Sequence, residues 1–341
     1  MNVQSKNVMI FGEVRTNGRL HPATLELTGK GRELADALSD SAGVSVVLCC
    51  GKLEDDVLLP VHYGADEVIL VEHPSLSFPN PEVAVKILVT LVKERQPEIL
   101  LAPATPQGRC VFPALAAKCR TGLTADCTGL EIERGTGLLL QTRPAIGGNV
   151  IATIKTPNHR PQMATVRPKT FAVPEPRPRK GEVVRPSLPQ ESFQSLTENL
   201  DFTPFQDKQA PVRDAEVVIS GGKGLRRAEG FGLLRELADL LGGSVGATRP
   251  TVEAKWIPYA HQVGLSGQVV SPKVYLAAGI SGAVQHLAGM QTSRKIVSVN
   301  KDPEAPIHKI ADIALCGDLY EILPQLIQRI REERGTLDVE I

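Results

Sequence analysis

The sequence predicts an α/β protein with two domains, each built on a mostly parallel sheet that helices cover on both faces. Short apolar runs of strand length alternate with segments of helical periodicity in both halves of the 341-residue chain. A proline-rich segment with little apolar surface, residues 173–212, separates the halves. We therefore expect an N-terminal α/β domain at 1–172, a linker and contact segment at 173–212, a C-terminal Rossmann-like, doubly wound domain at 213–334 and a tail at 335–341.

Composition excludes several classes of protein. The 38 basic and 38 acidic residues balance, so no affinity for nucleic acid or for an anionic membrane is expected. No apolar run approaches the ~20 residues of a membrane span. The first residues show no secretion or transit leader, so we expect a cytoplasmic protein. The six cysteines lack Cys-x-x-Cys spacing, which predicts reduced thiols and no metal site.

The N-terminal half shows regular alternation up to about residue 118. Apolar residues at 83, 87, 88, 91 and 92, with polar residues between them, are typical of a helix. Compact apolar runs indicate strands, and Pro22 suits the first turn of a helix. The predicted strands lie at residues 8–14, 44–49, 67–71 and 99–102, and the predicted helices at 22–37, 81–95 and from Thr105 to about 118.

Residues 127–172 differ from this pattern. They are rich in Gly, Thr and β-branched residues, with turn signals at 135–137 and at Gly147-Gly-Asn149, which predicts antiparallel hairpins. This segment also contains one histidine and several arginines. An anion site is one interpretation and a solvated face is the simpler one, for His159, Arg143, Arg160 and Arg167.

The C-terminal half begins with a strand and a glycine-rich turn. A strand at 215–220 leads into Gly221-Gly-Lys-Gly224 and then a helix with Phe231, Leu234, Ala238 and Leu241 on one face. The third glycine and the acidic residue of a dinucleotide fingerprint are missing at their usual offsets, so a standard NAD site is excluded. Lys223 is the charged residue on the turn. It is either a solvated loop lysine or a partner for a phosphate or a ring carbonyl.

Polar clusters follow the next strands. A strand at 244–247 ends at Thr248-Arg249-Pro250, which places a guanidinium where it can lie over an aromatic ring. The glycines and hydroxyl of 262–267 offer backbone N–H groups and the Ser266 side chain to a ring edge. Further strands are expected at 295–299, ending at Asn300, and at 310–315, followed by a helix to about 331 with Asp318 at its N-cap.

The segment 274–290 carries the sharpest of these signals. It is predicted to form a buried strand at 274–278, a tight turn at Gly279 and Gly282, and a helix that opens near Ser281. Such a helix start suits a phosphate, and His286 follows one turn later. Five polar clusters at successive strand ends of one sheet predict a nucleotide pocket.

In several runs of residues, the chain resembles the α subunit of electron transfer flavoproteins. The resemblance is strongest in the C-terminal half, and the N-terminal half supports it. The runs that carry it are 279–290, 299–307, 311–312, 317–319, 262–264, 247–249, 220–222, Arg143-Pro144, Gly147-Gly-Asn149 and 163–168.

The resemblance implies FAD, held mainly by the C-terminal domain, and a β subunit that packs on the N-terminal domain. It implies that Arg249 lies against the isoalloxazine, that Ser266 places its hydroxyl near flavin N5, and that His286 faces flavin O2. A cationic or strongly donating His286 would stabilise the negative charge of a reduced flavin over N1 and O2. The full predicted FAD set is Lys223, Thr248, Arg249, Gln262, Val263, Gly264, Leu265, Ser266, Ser281, Gly282, Ala283, Val284, Gln285, His286, Asn300, Asp318 and Leu319.

Within this set, 262–266 are expected along the ring and 281–286 around the pyrophosphate and the pyrimidine edge. Asn300, Asp318 and Leu319 are expected on the ribose and adenine side. Lys223 stands where the family usually has arginine, which keeps the charge and loses the bidentate fork. Leu265 replaces a common polar residue beside the flavin.

Three functions are compatible with the sequence. The first is an electron carrier that shuttles single electrons from acyl-CoA dehydrogenases, as in fatty acid β-oxidation, or from related enzymes to a quinone oxidoreductase or a soluble acceptor. The second is the α subunit of an electron-bifurcating complex, with a second FAD on β, NADH as donor and ferredoxin as acceptor. The third is a nucleotide-binding interaction subunit without a redox role. In none of them does a side chain act as a catalytic acid or base on a substrate.

Overall fold

The computed structural model describes residues 7–144, 150–203 and 211–337. The chain forms two compact units, residues 1–202 and 203–341. The predicted turn at Gly147-Gly-Asn149, Pro204 of the proline-rich segment and residues 338–341 of the predicted tail lie outside the described residues.

The first unit is built on a seven-stranded parallel sheet of order β10-β3-β2-β1-β4-β9-β5, with a three-stranded antiparallel sheet β6-β7-β8 beside it. The strands are β1 (Val8–Gly12), β2 (Val44–Cys50), β3 (Glu67–Glu72), β4 (Ile99–Pro103), β5 (Leu123–Cys127), β6 (Gly129–Ile132), β7 (Leu139–Pro144), β8 (Ile151–Ile154), β9 (Gln162–Val166) and β10 (Glu182–Val184), and the helices are α1 (Pro22–Leu38), α2 (Leu59–His62), α3 (Pro81–Arg95) and α4 (Pro106–Cys119).

Local signals explain why the long helices of this unit begin where they do. Each has proline in its first turn, where the missing N–H would have no intrahelical partner. The Asn80 side chain accepts a hydrogen bond from the N–H of Val83, and the Thr105 hydroxyl accepts one from the N–H of Gly108. The strands and helices predicted up to residue 119 are confirmed, with small differences at their ends.

The prediction of antiparallel hairpins throughout 127–172 is wrong for β9. Among the described residues of this segment, only β6, β7 and β8 pair antiparallel. All five residues of β9 are buried, and the strand inserts parallel between β4 and β5. A strand in the middle of a sheet covered on both faces is buried on both sides, so it lacks the alternation that marks a hairpin strand.

The proline-rich segment contributes an unpredicted strand to the first unit. Most of its described residues are exposed, as expected. The three residues of β10, however, pair parallel with β3 at the edge of the sheet, with Glu182 opposite Glu67. An edge position leaves one side of the strand without ladder hydrogen bonds, which suits a segment flanked by prolines.

The second unit is a doubly wound parallel sheet of order β12-β11-β13-β14-β15, as the sequence predicts. Buried side chains on both faces of the sheet form its core, among them Phe231, Leu234 and Tyr275. Its strands are β11 (Val217–Gly221), β12 (Ser244–Ala247), β13 (Val274–Ala278), β14 (Ile296–Asn300) and β15 (Ile313–Cys316), and its helices are α5 (Phe231–Leu240), α6 (Arg249–Glu253), α7 (Val284–Leu287) and α8 (Leu319–Leu337).

The helix predicted to open near Ser281 begins three residues later, and α7 is a single turn. Gly282 has a positive φ of 92°, and Ala283 is extended with ψ of 141°. The backbone around Gly282 is pressed against that of Ile307, since a Cβ built on Gly282 would lie 2.4 Å from the Ile307 nitrogen. The chain therefore completes its turn before the helix can start.

None of the helices within the described ranges is long and apolar enough to cross a membrane.

Candidate functional site

A cavity of about 790 Å³ opens at the carboxyl ends of the five strands of the second unit. Its wall includes residues that follow β11, β12, β13, β14 and β15. In this strand order the chain reverses direction across the sheet between β11 and β13. Open parallel sheets bind ligands at such a switch point. The volume lies in the range of small-molecule sites, about 300–1,000 Å³.

Two glycine turns, one after β11 and one after β13, pack backbone against backbone beneath the cavity. The N–H of Gly224 donates to the carbonyl of Gly279 over 2.9 Å. A Cβ on Gly222 would lie 2.3 Å from the Gly279 oxygen, and one on Gly224 would lie 2.6 Å from the Gly279 Cα. Side chains are therefore excluded from this contact, which brings the main chain of both turns to the cavity.

Cations line the wall that follows β11 and β12. The Lys223 ammonium lies 4.6 Å from the centre of the ring of Trp256, the one tryptophan in the sequence. The Arg249 Nε donates to the Glu253 carboxylate over 2.7 Å, and both side chains remain more than half exposed, at 64% and 58%. These contacts hold two positive charges at the cavity, the first by a cation–π contact and the second by an ion pair one helical turn apart.

Between these cations, the Thr248 side chain lines the cavity with an unused polar atom. The residue is buried, and its Oγ1 has no hydrogen-bond partner among the described residues. Buried hydroxyls are normally paired. This one is free to bond a ligand in the cavity.

The loop that contains Ser266 is held by side chains on either side of it. Gln262 Nε2 donates to the Ser266 carbonyl over 3.0 Å and to Ser266 Oγ over 3.2 Å. The Tyr259 hydroxyl donates to the same carbonyl over 2.8 Å. The N–H of Leu265 donates to the Gln285 carbonyl over 2.7 Å, while the Leu265 side chain is exposed. Ser266 thus keeps its own O–H available as a donor.

His286 differs from the prediction in its charge. Its Nδ1 lies 3.0 Å from the Val263 carbonyl, and its Nε2 lies 3.0 Å from the hydroxyl of the buried Tyr275. Because a carbonyl only accepts, we assign the proton to Nδ1, and Nε2 then accepts from Tyr275. Burial lowers the pKa of His286 to about 4. In this structure the ring is therefore neutral at pH 7, Nδ1 donates to Val263 and Nε2 accepts from Tyr275, so neither nitrogen of the predicted cationic or strongly donating His286 is left to donate to a ligand.

The polar residues after β14 and β15 are largely used by the fold. Asn300 Nδ2 donates to the Ile280 carbonyl over 2.8 Å, and its Oδ1 accepts from the N–H of Asp302. Asp318 Oδ1 accepts from the N–H of Tyr320 over 2.9 Å, which confirms it as the cap at the start of α8. These side chains hold neighbouring turns together, and the surfaces that they leave open face the cavity.

The structure brings nearly all of the predicted FAD residues together. The predicted residues that do not line the cavity are Gln262, Gly282 and Val284. Gln262 is buried behind Ser266, Gly282 is packed against Ile307, and the Val284 side chain is exposed. The predicted residues that line it are Lys223, Thr248, Arg249, Val263, Gly264, Leu265, Ser266, Ser281, Ala283, Gln285, His286, Asn300, Asp318 and Leu319.

The prediction missed several lining residues, most of which flank predicted ones at the same strand ends. Their position in the sequence could have indicated them, because any residue within two or three positions of a strand's carboxyl end is a candidate ligand contact in such a sheet. Glu253 had a further signal, since it lies four residues after Arg249 on a short helix. The missed residues are Gly222, Gly224, Arg226, Pro250, Glu253, Gly279, Ile280, Lys301, Asp302 and Gly317.

Comparison with known proteins agrees with this geometry. Residues 8–191 match the family model of the electron transfer flavoprotein domain. Residues 211–291 match that of the electron transfer flavoprotein FAD-binding domain, which contains the β11–β13 turns and most of the cavity wall. FAD is thus the cofactor of the second unit.

Curated relatives match along nearly the whole chain. An electron transfer flavoprotein subunit alpha of Thermoanaerobacterium thermosaccharolyticum is 44% identical over 96% of this chain and 98% of its own. Protein FixB of Rhizobium meliloti is 41% identical over 95% of this chain and 92% of its own. Subunit LctC of the lactate dehydrogenase (NAD(+),ferredoxin) of Acetobacterium woodii is 39% identical over 95% of this chain and 77% of its own. On these matches, the chain belongs to the α subunits of the electron transfer flavoprotein family.

Proposed function

We propose that this chain holds FAD at the strand ends of its second unit and, paired with a β subunit, passes electrons singly from a flavin dehydrogenase to an acceptor. The observation that carries the proposal is the cavity that places Arg249, Lys223 and Ser266 around one space at the switch point of the sheet. Acyl-CoA dehydrogenases are the donors we favour, with a quinone oxidoreductase or a soluble acceptor.

The residues present fit FAD. The unpaired Thr248 Oγ1 offers a hydrogen bond at the cavity wall. The turns at Gly222 and Gly279 bring backbone close to the space, as a pyrophosphate requires. Lys223, Arg226 and Arg249 supply positive charge for phosphates and for an electron-rich ring.

FAD supplies the one-electron chemistry when it is bound, and the protein supplies orientation and electrostatics. Arg249, held through Nε by Glu253, would present a planar cation to the ring. Ser266, whose oxygen accepts from Gln262, keeps its O–H as a donor and would offer it to a ring nitrogen. The neutral His286 contributes shape and a fixed dipole at the cavity wall rather than a positive charge.

We place the protein in the cytoplasm. The six cysteines are free, and burial raises the pKa of the Cys49 thiol to about 12. Free thiols of this kind suit a reducing compartment.

The test is co-expression with the β subunit encoded by the same organism. The purified heterodimer is expected to show flavin absorbance in the visible range and to be reduced by a dehydrogenase with its substrate. A colourless heterodimer that binds no added FAD would contradict the proposal and would favour a nucleotide-binding subunit without a redox role.

Electron bifurcation is the second candidate. Its support is the similarity to LctC, whose name couples lactate, NAD⁺ and ferredoxin. Two flavins per heterodimer, together with NADH oxidation that depends on ferredoxin, would favour bifurcation. One flavin and no NADH oxidation would favour the simple carrier.

A further inference from the structure

Arg226 is a cation of the cavity wall whose hydrogen-bond donors the fold does not use. Its Nη2 lies 3.8 Å from Asp318 Oδ2, which is an ion-pair distance but too long for a hydrogen bond. The Arg226 side chain is 62% exposed and forms no hydrogen bond with the part of the chain that the structure describes. The Arg226 guanidinium therefore keeps its N–H donors for a ligand.

The backbone at Arg226 has a conformation that favours glycine. Its φ is 63° and its ψ is −30°. Among the described residues that line the cavity, Arg226 is the one non-glycine residue with a positive φ. A residue with a Cβ persists in such a conformation where the surrounding structure fixes it, and residues of this kind concentrate at ligand sites. The strain at Arg226 is therefore consistent with a ligand-binding role for its side chain.

Two hydrogen bonds to one carbonyl fix the turn that carries Arg226. The Leu225 carbonyl accepts from the N–H of Arg227 over 2.7 Å and from the Tyr320 hydroxyl. Tyr320 is in the first turn of α8, two residues after Asp318. These bonds tie the turn after β11 to the start of α8. The Arg226 guanidinium thus lies beside a residue that follows β15, although Arg226 itself follows β11.

The cavity wall after β14 and β15 carries carboxylates, so a phosphate there needs a cation. Asp302 and Asp318 both line this part of the cavity. One oxygen of each accepts a main-chain hydrogen bond, from the N–H groups of Glu304 and Tyr320. Their negative charges repel a phosphate nearby.

Four described cations line the cavity, and two of them are already held by other side chains. Lys223 lies over the Trp256 ring, and Arg249 donates to Glu253. The two that remain for a phosphate are Arg226 and Lys301.

Arg226 suits a phosphate better than Lys301 does. A guanidinium presents paired N–H donors that match two oxygens of one phosphate, whereas an ammonium acts as a point charge. Arg226 also belongs to the turn of Gly222 and Gly224, whose main chain reaches the cavity. Backbone N–H groups and a guanidinium from the same turn can then contact one diphosphate.

We propose that Arg226 binds the phosphate on the adenosine side of FAD and gives the site a preference for FAD over FMN. The inference rests on the proposed function, in which Arg249 and Ser266 hold the ring on the β12 side of the cavity. This leaves the side of β14 and β15 for the adenosine half of the cofactor. FMN ends at the phosphate on its ring side, so it offers no group to Arg226.

The test uses the heterodimer with its β subunit after bound FAD has been removed. Calorimetric titration with FAD and, separately, with FMN gives a dissociation constant for each flavin. Arg226→Gln should raise the dissociation constant of FAD about 10-fold, as for the loss of a charge-assisted hydrogen bond, and leave that of FMN unchanged. Arg226→Lys keeps the charge and should recover part of the affinity for FAD.

Two further variants serve as controls. Arg227→Gln removes the neighbouring arginine, which is exposed and does not line the cavity, so the affinity for both flavins should stay unchanged. Lys301→Gln removes the other available cation and should raise the dissociation constant of FAD less than Arg226→Gln does. Circular dichroism of each variant establishes that it folds.

Three outcomes would overturn the proposal. One is an unchanged affinity for FAD in Arg226→Gln. Another is an equal loss of affinity for FAD and FMN, which would place Arg226 at the ring half of the cofactor. The third is a larger loss in Lys301→Gln. If the wild-type heterodimer binds FAD, each of these contradicts only the role of Arg226, whereas a wild-type heterodimer that binds neither flavin contradicts the proposed function as well.

Discussion

At the residue scale, burial determines the charge of His286. His286 is 6% exposed and touches the Val263 carbonyl and the Tyr275 hydroxyl. Neither partner carries a charge that would hold a proton on the ring, and the apolar surroundings disfavour the cation. The ring is therefore neutral at pH 7 in this structure.

His286 should make stability depend on pH. Its pKa falls from 6.5 to about 4 on folding, so the unfolded chain binds more protons between these values. Stability is then full above pH 6.5 and is lost as pH falls through about 4, by roughly 3 kcal/mol for this one group. Denaturant unfolding of wild type and His286→Gln between pH 7 and pH 4 measures this loss of stability. His286→Gln should lose less stability than wild type over this pH range. The control is His159→Gln, at an exposed histidine, which should lose as much stability as wild type. If the free energy of unfolding fell in parallel for all three proteins, the low pKa of His286 would be contradicted.

Glu26 is a second buried titratable residue, and its role is structural. Its carboxylate accepts from the N–H groups of Lys169, Thr170 and Phe171, over 2.8 to 2.9 Å. Burial nonetheless raises its pKa above the usual value. Glu26→Ala leaves three N–H groups without this acceptor and should lower the free energy of unfolding by about 2–4 kcal/mol. Glu33→Ala, in an exposed ion pair on the same helix, should change it by less than about 1 kcal/mol. Equal losses in urea unfolding would count against this role.

At the scale of elements, the sequence predicts those strands and helices whose positions depend on local sequence patterns. Strands β12 and β13 and helix α3 lie at the predicted residues because buried runs and helical spacing are local signals. The place of β9 in the sheet and the late start of α7 depend on distant contacts, such as the packing of Gly282 on Ile307. The same holds for the site, since no spacing in the sequence reveals that Tyr275 and Val263 engage both nitrogens of His286.

The paired glycine turns are the element on which the cavity depends most directly. In Gly224→Ala the new Cβ would lie 2.6 Å from the Gly279 Cα, which forces the two turns apart. We expect a loss of at least about 1–3 kcal/mol in stability, as for overpacked sites, together with weaker FAD binding. Gly232→Ala is the matched control. Its Cβ meets nothing within 4 Å in α5, so helix propensity should raise stability by up to about 1 kcal/mol. Thermal unfolding and FAD titration test both, and unchanged FAD binding in Gly224→Ala would argue against the role of the turns.

At the scale of the whole molecule, FAD binding belongs to one of the two units. Every described residue that lines the FAD cavity belongs to the second unit, which has its own buried core on both faces of its sheet. The first unit has its own core on both faces of its seven-stranded sheet. Cofactor binding and the packing of the first unit therefore rest on separate cores, and a change in one is expected to leave the other intact.

This division predicts that residues 203–341 fold without the rest of the chain and bind FAD. The fragment keeps the parallel order β12-β11-β13-β14-β15 and all of the described residues that line the cavity. Expressed alone, it should unfold in one cooperative transition and take up FAD, while residues 1–202 should fold and take up none. Thermal unfolding by circular dichroism, together with the quenching of FAD fluorescence on titration, measures both. A soluble, folded fragment that leaves FAD fluorescence unchanged, beside a full chain that quenches it, would show that the first unit contributes to the cofactor site.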